Sequence, residues 1–101
     1  MTETQLIATI VDDSWLTMEQ LARICKVEMA WLQHRLDEGL FPHAESIAGT
    51  WRFSNQCVLR AQRMYHYERD FDAVPELAAL IADMQDEIQR LRSQLSSLRP
   101  R

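Results

Sequence analysis

The strongest constraint on this chain is a ladder of apolar residues near its C-terminus, spaced alternately four and three residues apart. Its members are Leu77, Ile81, Met84, Ile88, Leu91, Leu95 and Leu98. This spacing is a heptad repeat, with Ile81, Ile88 and Leu95 at position a and the other four at position d. A helix with so narrow an apolar stripe is stable in water when the stripe packs on another helix. The ladder therefore predicts a coiled-coil helix and a homodimer.

Charge and composition favour a protein partner over nucleic acid or a membrane. The 101 residues carry a formal net charge of −4, whereas a duplex-binding domain usually has a basic surplus that neutralises phosphates. An acidic chain is better suited to basic protein partners. No apolar run approaches the length that spans a bilayer, and the first fifteen residues do not resemble a signal peptide. We therefore expect a cytoplasmic protein.

The first half of the chain has the element order of a winged helix-turn-helix domain. Residues 5–11 are short and β-branched, and they predict a strand. Thr17 and Gln20 have the spacing of a capping box, which predicts the start of a helix. A second helix is predicted from about residue 28 to 38, after a short turn. Two short apolar runs within residues 40–53 then predict a small β-hairpin, or wing.

Two further helices are predicted in the second half. Ser54 is the expected N-cap of a helix over residues 55–67, and a hinge follows at residues 71–73. Pro75 suits the first turn of the last helix, which runs to about Leu98 and carries the ladder. The predicted fold class is thus mostly α: a winged helix-turn-helix with a small β-sheet and a C-terminal coiled-coil helix.

This element order divides the chain at the hinge. We expect a winged helix-turn-helix domain at residues 1–70, and a hinge with the coiled-coil dimerisation helix at residues 71–101.

Acidic and basic residues are separated along the C-terminal part of the chain. Residues 68–87 contain seven acids and one base, whereas the chain from Ile88 onward contains four bases and no acid. One explanation is that acids near the start and bases near the end of the last helix compensate its dipole. An antiparallel coiled coil, in which each acidic half lies against a basic half, explains it in another. We favour the antiparallel orientation, although in a parallel pair Glu87 would still reach Arg92 of the second copy.

The second predicted helix would be the DNA-recognition helix of a helix-turn-helix protein, but its charges suit that role poorly. Three acids, Glu28, Asp37 and Glu38, stand against the single arginine Arg35. A groove lined by phosphates repels such a helix. We therefore do not expect direct DNA binding.

The three tryptophans are the largest candidate anchors. Trp15 and Trp51 are expected in the core, where tryptophan usually lies with its indole N–H bonded to a partner. Trp31 lies beside the expected inner face of its helix. It is equally well suited to the core and to an exposed docking site.

No residue pattern indicates catalysis, a metal or a cofactor. The only soft-metal candidates are His34, His43, His66, Cys25 and Cys57. None of them has C-x-x-C or H-x-x-x-H spacing, and no nucleophile elbow or phosphate-binding loop is present. The two cysteines are expected to be reduced. We therefore expect no catalytic, metal-binding or cofactor-binding residues, no cofactor and no enzymatic activity.

Three short stretches give the chain a family resemblance. They are residues 16–22 (LTMEQLA), 38–42 (EGLFP) and 51–54 (WRFS). With its element order, the chain resembles the MerR family of dimeric winged-helix regulators. Within that family it is most similar to the CbpM group of chaperone modulators, which inhibit the DnaJ-like co-chaperone CbpA.

The resemblance implies a partner and a mechanism. The partner would be the J-domain of a DnaJ-like, CbpA-like co-chaperone, whose basic helix engages the Hsp70 chaperone. A modulator that covers this helix would block stimulation of the Hsp70 ATPase. The candidate partner-binding residues are acids and one tryptophan: Glu68, Asp70, Asp72, Glu76, Asp83, Trp31, Asp37 and Glu38. The alternative is a MerR-type DNA-binding transcriptional regulator, and a weaker one is a generic oligomerisation module.

Overall fold

The structure, a computed structural model, describes residues 15–98 of the chain. Within this range the elements are α1 (Met18–Cys25), α2 (Met29–Asp37), β1 (Glu45–Ile47), β2 (Thr50–Arg52), α3 (Asn55–Phe71) and α4 (Pro75–Leu98). The fold class is confirmed: the protein is mostly helical, with a small antiparallel sheet and the arrangement of a winged helix-turn-helix. The strand predicted at residues 5–11 lies outside the described residues.

The predicted capping box starts α1. The Thr17 hydroxyl accepts a hydrogen bond from the backbone N–H of Gln20 at 3.1 Å, and the Gln20 side chain accepts one from the Thr17 N–H at 2.9 Å. These bonds satisfy two backbone donors that a helix start leaves without a partner. Lys26 ends the helix in the left-handed conformation, with φ at 58°. The chain then turns directly into α2.

The wing is a tight hairpin that is fastened to the start of α1. Strands β1 and β2 pair antiparallel. The two residues between them, Ala48 and Gly49, have φ values of 53° and 79°, as a two-residue hairpin turn that matches the strand twist requires. Just after β2, Phe53 exchanges two backbone hydrogen bonds with Leu16, at 2.8 and 2.9 Å. These two bonds join the end of the wing to the residue that precedes the capping box of α1.

One hydrophobic core connects α1, α2, the wing, α3 and the first half of α4. Its largest fully buried side chains are Phe53, Leu16, Leu21, Leu32, Met64, Val58 and Cys57. The contribution of α4 consists of Ala78, Ala79 and Ala82, which are almost completely buried. No helix among residues 15–98 is long and apolar enough to cross a membrane.

Helix α3 ends later than the sequence predicts. It continues to Phe71, past the predicted end at Tyr67, and the break falls at Asp72, whose φ is 54°. The extra turn contains Glu68, which accepts hydrogen bonds from Trp31 and Arg35, and local sequence does not reveal these contacts. Within the turn, the ring of Tyr67 also stacks on Phe71 with centroids 5.6 Å apart. Helix α4 begins at Pro75, as predicted.

The prediction that Trp15 is a core residue is wrong. Its side chain is 41% exposed, and the guanidinium of Arg52 lies over the indole ring, 4.1 Å from the centroid. This cation–π contact explains why an aromatic residue is tolerated at the surface there. Trp51 is half-buried and packs against the core.

Replacing Thr17 by alanine should lower the free energy of unfolding by about 1 kcal/mol, because the capping box is lost. Ser54 supplies the matched control. It is the N-cap of α3, but its side chain makes no capping hydrogen bond, so Ser54→Ala should cost clearly less. Urea denaturation followed by circular dichroism at equal protein concentration measures both values. If both variants lose the same free energy of unfolding, the capping box at Thr17 contributes no more to stability than an N-cap without a side-chain hydrogen bond.

Candidate interaction surfaces

Helix α4 has two apolar faces, and only one of them is covered within a single copy. The alanine face packs on α3, whereas the ladder face points away from it. Ile81 is half-buried, and the other six rungs are 46% to 80% exposed. Val74, one heptad before Ile81, is also 60% exposed and extends the ladder by one rung that sequence reasoning missed. A continuous apolar stripe of this length on a small protein is typical of an interaction site.

The second helix of the helix-turn-helix, α2, is joined to the end of α3 by a partly buried ionic cluster. Glu68 accepts hydrogen bonds from the indole N–H of Trp31 at 3.0 Å and from the guanidinium of Arg35 at 2.9 and 2.5 Å. Arg35 also pairs with Glu38 at 3.1 Å. The Arg35 and Glu68 side chains are only 14% and 13% exposed. The hydrogen bond from Glu68 raises the pKa of the Arg35 guanidinium, so the arginine stays charged.

This cluster engages the only arginine that α2 could offer to DNA. Arg35 is the only lysine or arginine of the helix, and its donors are directed at Glu68 and Glu38. The outer face of α2 instead carries Met29, which is 42% exposed, and Asp37, which accepts a hydrogen bond from Gln33 at 2.9 Å. The exposed part of the helix is therefore neutral to acidic.

A second candidate surface lies at the turn between α3 and α4. Asp72 and Glu76 are exposed there, and no ion pair within residues 15–98 involves them. Phe71, which directly precedes Asp72, has a side chain that is 66% exposed. Asp70 lies in the same turn but is engaged, at 3.0 Å by Arg69 and at 2.8 Å by His66. The hydrogen bond from Arg69 lowers the pKa of Asp70, which keeps it ionised.

The predicted partner-binding residues thus fall into separate places. Trp31, Glu38 and Glu68 meet around Arg35. Asp70, Asp72 and Glu76 lie together at the α3–α4 turn.

The remaining two candidates lie elsewhere. Asp37 is on the outer face of α2, and Asp83 of α4 forms an ion pair with Arg60 of α3. The turn is the place where exposed, unpaired acids and an exposed aromatic ring coincide.

Metal ligands and reactive thiols do not form a further site in the described part of the chain. No group of three or more His, Cys, Asp or Glu is placed to hold a metal ion within residues 15–98. Cys57 is fully buried, and burial raises the pKa of its thiol. It is consequently a packing residue of the core.

Comparison with protein families gives the class of the protein. The profile described as "MerR HTH family regulatory protein" matches residues 3–100, almost the whole chain. The chain therefore belongs to the MerR helix-turn-helix family. Searches of curated proteins and of solved structures give no significant match.

Glu68→Gln should destabilise the protein by about 2 kcal/mol, because the change leaves the largely buried Arg35 without its main counter-charge. The control is Glu76→Gln, the same chemical change at an exposed and unpaired site, which should stay within about 0.5 kcal/mol of wild type. Thermal and urea unfolding at one fixed protomer concentration measure the difference. If both variants are equally stable, the cluster does not hold α2 in place.

Proposed function

We propose that this chain is a homodimeric, cytoplasmic chaperone modulator of the CbpM type, which binds the J-domain of a DnaJ-like co-chaperone and blocks stimulation of Hsp70. The proposal takes its partner from the family resemblance. The observation that carries it is the state of the recognition helix, whose only arginine is enclosed by Glu68 and Glu38. A MerR-family chain with such a helix is better suited to a protein partner than to phosphates.

The docking surface that we assign to the J-domain is the α3–α4 turn. Asp72 and Glu76 supply unpaired negative charge, and Phe71, next to Asp72, supplies an exposed aromatic anchor. A basic helix with apolar positions would be attracted by the acids and could bury the ring. Inhibition would then be steric, since a J-domain helix held here could not engage Hsp70 at the same time.

The homodimer in this proposal is formed by the ladder face of α4. In an antiparallel pair the rungs can match completely, each a position against a d position of the second copy. The matched layers are Val74 with Leu98, Leu77 with Leu95, Ile81 with Leu91, and Met84 with Ile88. The same register lays the acidic first half of each helix along the basic second half of the other.

A second candidate function is a DNA-binding transcriptional regulator. The family match and the winged helix-turn-helix geometry favour it. In that case the wing and the outer face of α2 would have to contact the duplex. Arg52 of the wing is available only in part, because it pairs with Glu45 at 2.8 Å and covers the ring of Trp15.

The test is titration of a purified J-domain into the full chain by calorimetry. Neutralising the acids of the turn with Asp72→Asn and Glu76→Gln should weaken binding about fivefold at physiological salt, because two exposed charge contacts are lost. The difference should shrink as salt rises, since the Debye length falls. Asparagine is chosen because it tolerates the positive φ of residue 72.

The control variant, Glu19→Gln with Asp86→Asn, removes the same two charges from exposed sites elsewhere and should bind like wild type. If both variants bind the J-domain with equal affinity, the α3–α4 turn is not the docking surface. No binding of the J-domain by wild type would contradict the proposed function. A mobility shift of duplex DNA that resists competitor at physiological salt would support the second candidate instead.

A further inference from the structure

Helix α4 has a third face, in addition to the alanine face on α3 and the ladder face. Glu76, Leu80, Asp83 and Glu87 follow one another at spacings of four, three and four residues, so they form one row along the helix. All four are exposed. Because each residue turns an α-helix by about 100°, the row lies about a third of a turn from the middle of each other face. It is therefore open to a further partner.

Leu80 is the residue of this row that the other contacts of α4 do not explain. Its side chain is 54% exposed, so it does not belong to the core. At heptad position g it lies beside the ladder and not within it. It is the only apolar member of the row, with Glu76 one turn before it and Asp83 one turn after it. An exposed leucine between acids suits a partner that combines an apolar side chain with positive charge.

The acids of the row keep a negative charge at the surface. Glu76 is exposed and forms no ion pair within residues 15–98. Asp83 pairs with Arg60 and Glu87 pairs with Arg90, yet the side chains of these two acids are still 59% and 53% exposed. Glu76 also belongs to the α3–α4 turn. The row therefore continues the docking surface assigned to that turn along the helix.

We propose that the basic helix of the J-domain lies along this row, with Leu80 as the apolar anchor at its centre. The inference rests on the proposed function and specifies the extent and the pattern of the docking surface. From Glu76 to Glu87 the row is about 17 Å long, which corresponds to three turns of a partner helix. That helix would present one apolar residue, with basic residues three or four positions away on both sides.

The competing occupant of Leu80 is the second copy of this chain. A helix that packs on positions a and d reaches position g only at its edge. In the proposed antiparallel register, the g residue that lies opposite Leu80 is Gln94 of the second copy. A polar side chain at the edge of the interface gives a leucine little apolar surface to pack on. We therefore assign Leu80 to the J-domain, and the dimer becomes the alternative that the test must separate.

The first test is Leu80→Ala, measured by calorimetric titration of a purified J-domain into the full chain. The dissociation constant should rise about tenfold, because the apolar anchor is lost from the centre of the contact. The control is Met29→Ala, which shortens another exposed apolar side chain, on the outer face of α2. It should bind within about twofold of wild type. Circular dichroism checks that both variants are folded, and sedimentation equilibrium should give both a dimer within about twofold of wild type.

The second test compares Leu80→Lys with Leu80→Glu and reports the charge of the partner. Both substitutions replace the anchor by a long charged side chain, so their difference isolates the sign of the charge. Next to a basic helix the lysine should weaken binding at least about tenfold more than the glutamate. The difference should shrink as salt rises. Equal affinities of these two variants would contradict a basic helix at Leu80.

The outcomes separate the inference from the function on which it rests. If wild type binds the J-domain and Leu80→Ala binds it equally well, the row is not the docking surface, and the proposed function stands. If Leu80→Ala weakens the dimer and leaves J-domain binding unchanged, the second copy covers Leu80 and the inference is wrong. If wild type does not bind the J-domain, the inference and the proposed function are both wrong.

Discussion

The structure depends on one constraint: a single helix, α4, carries two apolar faces that cannot both be buried inside one copy. Its alanine face is used within the chain, where small side chains let α4 approach α3 closely and complete the core. Its ladder face stays at the surface and is large relative to an 11.9 kDa protein. The α3–α4 turn lies where both faces of α4 begin.

A second constraint is the enclosure of Arg35 by Glu68. In sequence these residues are distant, and each could belong to a binding surface. In the structure they neutralise one another, and Glu68 also accepts a hydrogen bond from the Trp31 indole N–H. The same contacts that fix the recognition helix on α3 remove its positive charge. The only arginine of the second helix is thus paired within the fold and is not open to a phosphate.

Much of the fold could be predicted because its signals are local. The capping box at Thr17, the hairpin turn at Gly49 and the proline that begins α4 are each decided by a few neighbouring residues. The end of α3 and the exposure of Trp15 could not be predicted, since they depend on contacts with residues distant in sequence. For the same reason, the acids of residues 68–87 looked equivalent in sequence. Only the structure separates the enclosed Glu68 from the exposed Asp72 and Glu76.

The pairing of the ladder with a second copy is the central claim, and cysteine cross-linking tests it most directly. In a background of Cys25→Ser and Cys57→Ala, the account predicts that Val74→Cys with Leu98→Cys gives a disulfide-linked dimer under mild oxidation. Leu98→Cys alone should not. Residues 74 and 98 of one copy are about 36 Å apart along the helix, so they cannot cross-link within the chain. Efficient cross-linking by Leu98→Cys alone would demonstrate a parallel pair. Failure of the double variant to cross-link would contradict the proposed interface.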